Sequence, residues 1–316
     1  MVIYVDDIIL TGHDKDMDMI IKDLKREFHI KDFGFPSLFL GMEIEKKENT
    51  LKITQKGQIQ KMLAKFNMID CKSTTTPMLK EYQYDAEESI DEDIPYRQLI
   101  GGLMFIATVS RPDIAYPVSY LSQYLDKPTR SLWTQAKRTL RYLKGTYNTG
   151  LTFKKSENNN LETYSDADWA GNHTDRKSVS GSVTLYNGCL VSWFSRKQTC
   201  VALSTVEAEY IAAAASACDL LYIRGLYSDI SGPNSDIKCI LYMDNKGAIQ
   251  LSKSYENSKR AKHIDIRNHF LKDLIIKKEI TVEYISTNDN VSDLLTKTLS
   301  CERLSFMKDF KYCISS

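Results

Sequence analysis

This sequence contains no pair of cysteines at metal-ligand spacing. Its seven cysteines stand singly along 316 residues, with no C-x-x-C among them. An odd, scattered set argues against a zinc finger and for a reducing compartment. Long apolar runs are missing too. None approaches the roughly eighteen residues of a membrane-spanning helix, and the first ten residues carry no basic leader segment. The expectation is a chain that is neither secreted nor set in a membrane. A large net charge is also absent, since the formal total is only +1. That balance hides local bias. Residues 81–93 hold seven acids and no base, residues 127–155 hold eight bases and no acid, and residues 253–278 hold eight bases against three acids. A charge run is most often a solvated face. Two basic segments in one chain with clustered carboxylates favour a nucleic-acid partner.

The rest of the composition, 42% hydrophobic and 26% charged, is that of an ordinary globular protein long enough for two or three domains. The chain opens on "MVIYVDDIIL", two adjacent carboxylates between apolar β-formers, which reads as a hairpin turning at Asp6-Asp7. Residues 15–29 place Met17, Ile20, Ile21, Leu24 and Phe28 on one helical face. "PSLFLGMEIEKKENTLKITQ" reads as two strands joined through Lys47-Glu48-Asn49, and "GQIQKMLAKFNM" as a short helix. A polar, acidic connection leads to helical text from Tyr96 to Tyr124, broken at Arg111-Pro112. In "SLWTQAKRTLRYLKGT", Trp133, Ala136, Leu140 and Leu143 line one face. Lys137, Arg141 and Lys144 line another at i, i+4, i+7, and Gly145 marks the stop. That basic face is either solvated or a contact for nucleic-acid phosphates.

The C-terminal half alternates differently. "LETYSDADWAG", "KSVSGSVTLYNG" and "GCLVSWFSRK" predict three strands, the last two joined at Asn187-Gly188. A long helix follows, opening with the capping box Ser204-x-x-Glu207. Next come the strand "IKCILYMD", the helix "NKGAIQLSKS", the amphipathic helix "KHIDIRNHFLKDLIIKKE", the strand "ITVEYIS" and a terminal helix "NVSDLLTKTLS" capped by Asn290. This order predicts an α/β domain with a mixed sheet. Four carboxylates fall at element ends: Asp166 and Asp244 after strands, Glu209 and Asp293 in first turns of helices. Asp168 competes with Asp166, and Glu207 is taken up by the capping box. Helix N-termini tolerate negative charge, and Mg²⁺ completes the charge balance of such a set.

The motifs "YSDADWAG", "VSWFSRKQ", "VALSTVEAEYIA", "YMDNKGAI", "KHIDIRNHF" and "YISTNDNVSDLLTK", in that order, resemble the ribonuclease H domain of copia-type LTR-retrotransposon Pol polyproteins. "YVDDIIL", "FLGMEI" and "LKITQKGQIQKML" resemble the reverse transcriptase of the same polyproteins from its catalytic hairpin onward. The resemblance covers essentially the whole chain. It implies an α/β protein: a truncated reverse-transcriptase palm over residues 1–80, thumb and connection helices over 81–155, and a ribonuclease H-like mixed sheet with flanking helices over 156–316. It implies that Asp166, Glu209, Asp244 and Asp293 hold two Mg²⁺ ions, with Mn²⁺ as a substitute, and cleave the RNA strand of an RNA–DNA hybrid. It makes Asp6 and Asp7 the polymerase metal ligands, and places the primer grip on a strand around Leu40, Gly41 and Met42.

Two departures stand out. Cellular ribonucleases H often carry a histidine shortly before the last aspartate, and "STNDNVSD" has none. Leu132 stands where family members often have histidine beside the tryptophan. The resemblance also implies a chain that starts inside the palm, without the fingers or the earlier strand that carries a third aspartate. The expected partners are therefore the hybrid and the upstream Pol domains (fingers and palm, integrase, protease), and the expected location is a cytoplasmic virus-like particle and the nucleus. The competing reading is an inert remnant that binds hybrid or another subunit without cleaving.

Overall fold

The computed structural model describes residues 1–80, 82, 84, 94–156, 158–171, 175–232, 237–253, 270–310 and 314–315. Most of the acidic run and most of the second basic segment lie outside them. At the N-terminus β1 (Val2–Tyr4) pairs antiparallel with β2 (Asp7–Ile9), Tyr4 opposite Asp7. The turn is thus Val5-Asp6, one residue earlier than the pattern predicts. Val5 takes a φ of +52°, a costly conformation for a β-branched side chain. Helix α1 (Asp14–Glu27) follows and buries none of its residues. The apolar residues Val2, Ile3, Tyr4 and Val5 are exposed.

The "FLGMEI" segment is not the single strand expected. β3 (Leu38–Phe39) turns back into β4 (Met42–Lys47) through Leu40-Gly41, with φ of +48° and +80°. Two successive left-handed residues make the tight hairpin turn whose twist matches its strands. Only the glycine adopts that conformation at no steric cost. β5 (Thr50–Thr54) continues the meander. Its other neighbour is β6 (Gly150–Lys154), and beyond that lies β12 (Ile314–Ser315), giving an antiparallel sheet in the order β12-β6-β5-β4-β3. Strands from three distant parts of the chain therefore share this sheet.

The larger sheet has the order β11-β10-β7-β8-β9. Strands β7 (Asn160–Asp168), β8 (Val179–Tyr186) and β9 (Cys189–Lys197) are antiparallel, and β7 aligns parallel with β10 (Lys238–Met243), as β10 does with β11 (Thr281–Tyr284). Asn187 and Gly188, at φ of +52° and +76°, make the predicted tight turn. Helix α6 (Thr205–Ser231) returns the chain from β9 to β10. Its Tyr210, Ala213, Ala217 and Leu220 pack on Leu161 and Leu241 of the sheet. Helix α7 (Lys246–Lys253) and a helix described over 270–276 (α8) complete that layer.

The opposite face is covered by the middle of the chain. Helices α2 (Lys56–Lys65), α3 (Tyr96–Val109), α4 (Ala115–Ser122) and α5 (Arg130–Gly145) share one core with the sheet. Ile59, Leu99, Ile106, Leu121 and Leu140 belong to it, together with Tyr164, Val183 and Leu185. Polar bonds fix the joint: Trp193 Nε1 donates to Ala107 O at 2.9 Å, and Ser119 Oγ to Ser195 O at 3.0 Å. The expected terminal helix at "NVSDLLTKTLS" is instead a short 3-10 helix, Val291–Leu295, followed by α9 (Cys301–Phe310). Asn290 is the predicted cap, but its Nδ2 is also bonded to Ser165 O at 3.0 Å. A turn pinned to β7 with Val291, Leu294 and Leu295 in the core is tighter than an α-helix allows.

Just before the 3-10 turn Pro112–Ile114 lies Arg111, the largest fully buried side chain among the described residues. It meets Asp113 through two bonds, Nε to Oδ1 at 2.8 Å and Nη2 to Oδ2 at 2.7 Å. Tyr142 OH also donates to Asp113 Oδ2 at 2.6 Å, and Arg111 Nη1 donates to Thr146 O at 2.9 Å. Removing one partner of such a pair strands a buried charge. Asp113→Ala is expected to lose about 3–5 kcal/mol of stability, read by urea denaturation of the full chain. The pair Arg111→Met with Asp113→Leu should lose less, and equal losses would contradict the account.

Candidate nuclease site

Three of the four sequence-nominated carboxylates meet. Asp166 lies near the end of β7, Glu209 at the start of the second turn of α6, one turn later than the sequence pattern predicts, and Asp244 directly after β10. One oxygen of each lies within 4.8 Å of the others. The strand ends are adjacent because β7 and β10 are parallel neighbours. The start of α6 is fixed by its cap: Ser204 Oγ accepts from Glu207 N at 3.2 Å, and Glu207 Oε2 accepts from Leu203 N at 2.9 Å. Glu207 is thus spent on the helix end, which leaves Glu209 for the cluster.

Burial and mutual repulsion set the electrostatics. Glu209 is pushed up to about 9, first by burial and then by the charges of Asp166 and Asp244. Asp166 is pushed up to about 7, first by burial and then by Asp293, while Lys297 and the hydroxyl of Thr296, which donates to Asp166 Oδ2, pull the other way. Glu209 Oε2 is buried and has no hydrogen-bond partner. Crowded carboxylate oxygens, one of them unpartnered, fit a hard divalent cation such as Mg²⁺ or Mn²⁺.

Asp293 stands beside this trio but outside it. Its Oδ1 is 2.6 Å from Lys297 Nζ, and its Oδ2 is 3.6 Å from Arg303 Nη2. Its segment lies close against β8 because Gly181, opposite Asp166 in the ladder, has no side chain. A Cβ there would meet Ser292 O and Leu295 Cβ at 2.9 Å. Asp168 turns its carboxylate toward Gly171, where a Cβ would clash with it. Thr296, Lys297, Arg303 and Gly181 were not singled out from sequence. The signal for two of them was available, since Thr296 and Lys297 sit three and four residues after Asp293, the spacing of helical neighbours.

The other nominated residues lie elsewhere. Asp6 and Asp7 are exposed on the N-terminal hairpin, and among the described residues the carboxylate trio is the one group of three or more acidic, histidine or cysteine side chains placed to hold a metal. Leu40, Gly41 and Met42 form the β3–β4 turn and the start of β4. Lys137, Arg141 and Lys144 share the outer face of α5, but two are engaged. Arg141 Nε donates to Lys72 O at 2.6 Å, and Lys144 Nζ to Cys71 O at 2.6 Å. Lys137 lies over the Trp133 ring, 5.3 Å from its centroid. With Met68, Cys71, Lys72 and Thr134, Lys137 and Arg141 line an open groove.

A mixed five-stranded sheet in this order, with carboxylates at two adjacent strand ends and one helix start, defines a ribonuclease H-like fold. Residues 1–80 match the family model for reverse transcriptase (RNA-dependent DNA polymerase). The chain is 35% identical to the retrovirus-related Pol polyprotein from transposon TNT 1-94 of Nicotiana tabacum, over 98% of this chain and 24% of that protein. It is 31% identical to a transposon Ty5-1 protein of Saccharomyces cerevisiae, over 69% of this chain and 72% of that protein. The chain belongs to the retrovirus-related Pol proteins of transposons, and it spans about a quarter of the length of the full polyprotein it matches. Among solved structures, a ribonuclease H1 isolated from compost overlaps 44% of this chain and 93% of its own, at 15% identity and a TM-score of 0.33. The fold assignment stands on the strand order rather than on that overlap.

The raised carboxylates predict a pH response. Without metal, the folded chain holds protons on Asp166 and Glu209 that the unfolded chain releases near pH 4. Their contribution to stability is therefore full below about pH 4 and is lost as pH rises through about 7 and then about 9. The melting-temperature gain from added Mg²⁺ should accordingly be larger near pH 9 than near pH 6. An equal gain at both would show that the cation does not bind these groups.

Proposed function

We propose that this chain hydrolyses the RNA strand of RNA–DNA hybrids with Mg²⁺ or Mn²⁺ as cofactor, as the ribonuclease H of a transposon Pol protein. The observation that carries the reading is the trio Asp166, Glu209 and Asp244, gathered within 4.8 Å with a buried, unpartnered Glu209 oxygen. These three would hold the metal, with Asp293 as the fourth carboxylate. When bound, two such ions supply charge stabilisation to the attacking and leaving oxygens of a phosphodiester. The chain's own part is to fix its carboxylates on rigid strand ends and to exclude bulk water from Glu209 and Asp166. The remaining Pol domains are its proposed partners, and a cytoplasmic particle and the nucleus its proposed sites of action.

The test is cleavage of a labelled hybrid by the full chain. Asp244→Asn should reduce the rate by about a thousandfold or more, as expected for loss of several kcal/mol of transition-state stabilisation, with melting temperature retained. Wild-type-like cleavage by that variant would remove Asp244 from the site.

The polymerase motif leads to the opposite expectation. Asp6 and Asp7 sit on an exposed hairpin, and two-metal nucleotidyl transfer needs further ligands and a surface that positions the triphosphate. Primer-extension assays on an RNA template should show no product with either metal. Extension that is lost on Asp6→Asn would show a self-sufficient palm.

A further inference from the structure

The fourth carboxylate is already paired with a cation of the protein itself. Lys297 Nζ lies 2.6 Å from Asp293 Oδ1, on the next turn of the same segment. Asp293 is nearly fully buried, while the Lys297 side chain is 42% exposed and can swing toward solvent. The ammonium also feels the charges of Asp166 and Asp168. A lysine in this position neutralises the crowded acids when no metal is present, and a metal that recruits Asp293 must compete with it. Arg303, at 3.6 Å from the other oxygen of Asp293, is a weaker competitor by distance.

We propose that Lys297 is the internal counter-ion of the nuclease site, which a divalent cation must displace from Asp293 before all four carboxylates act on one metal centre. The proposal rests on the nuclease reading of the trio. It makes Lys297 a positioning residue that sets metal affinity, in exchange for keeping the metal-free site intact.

Titration of Mn²⁺ into the full chain by calorimetry, with melting temperatures in parallel, tests it. Lys297→Gln keeps a hydrogen-bond donor for Asp293 but removes the charge. It should bind Mn²⁺ about tenfold more tightly and melt at a lower temperature without metal. Lys297→Arg, which keeps the charge, should match the wild type in both. In an Asp293→Asn background, Lys297→Gln should no longer tighten binding. Unchanged or weaker Mn²⁺ affinity in Lys297→Gln would overturn the counter-ion role, as would an equal gain in Arg303→Gln. Binding that Asp244→Asn leaves unchanged would overturn the site itself, and that failure is distinct from the first.

Discussion

The buried pair of Arg111 and Asp113 is the joint on which the arrangement turns. Both side chains are fully buried, and a dry charge is tolerated only when its partner is held in good geometry. The geometry here comes from three places: the 3-10 turn that carries Asp113, the Tyr142 hydroxyl from α5, and the Thr146 carbonyl just beyond α5. Lys308 from α9 in turn donates to the Tyr142 hydroxyl at 3.3 Å. The middle helices and the C-terminal segment therefore satisfy one another's polar groups. Asp113 and Lys297 line the same small cavity, so the joint lies directly behind the segment that presents Asp293.

That placement bears on the carboxylates. Like charges converge only if the scaffold resists their repulsion, and each part of the scaffold is fixed from a different side. β7 and β10 are held by parallel pairing. The start of α6 is held by the Ser204 and Glu207 cap. The Asp293 turn is held by Asn290 on the Ser165 carbonyl and by close approach to Gly181. Rigid supports keep acids close without metal at the cost of raised proton affinity in Asp166 and Glu209.

Much of this was legible in the residues. Alternation gave β7, β8 and β9, Asn187-Gly188 gave their turn, and the capping box separated Glu207 from Glu209. What was not legible depends on contacts between distant residues. The pairing of β5 with β6 joins positions about a hundred residues apart, and local periodicity says nothing of partners at that range. Leu40 in a left-handed turn is a similar case. Leucine carries no turn signal, and the tight β3–β4 reversal imposes the conformation on it. The Asp293 segment has helical spacing, yet its bond to β7 shortens it to a 3-10 turn.

The basic face of α5 shows why charge spacing alone underdetermines a role. Lys137, Arg141 and Lys144 occupy the i, i+4, i+7 stripe that a phosphate-binding helix would use. Arg141 and Lys144 donate instead to the carbonyls of Lys72 and Cys71, while Lys137 stacks on Trp133. A carbonyl accepts a cationic donor much as a phosphate oxygen does, and both demand one regular face. Sequence records the demand but not which acceptor meets it. The same ambiguity runs in the other direction at Lys297, whose spacing from Asp293 reads as an ordinary surface ion pair. Its meaning comes from the depth of its partner, because a cation over a buried carboxylate beside two more acids is part of the site's charge balance rather than of the surface.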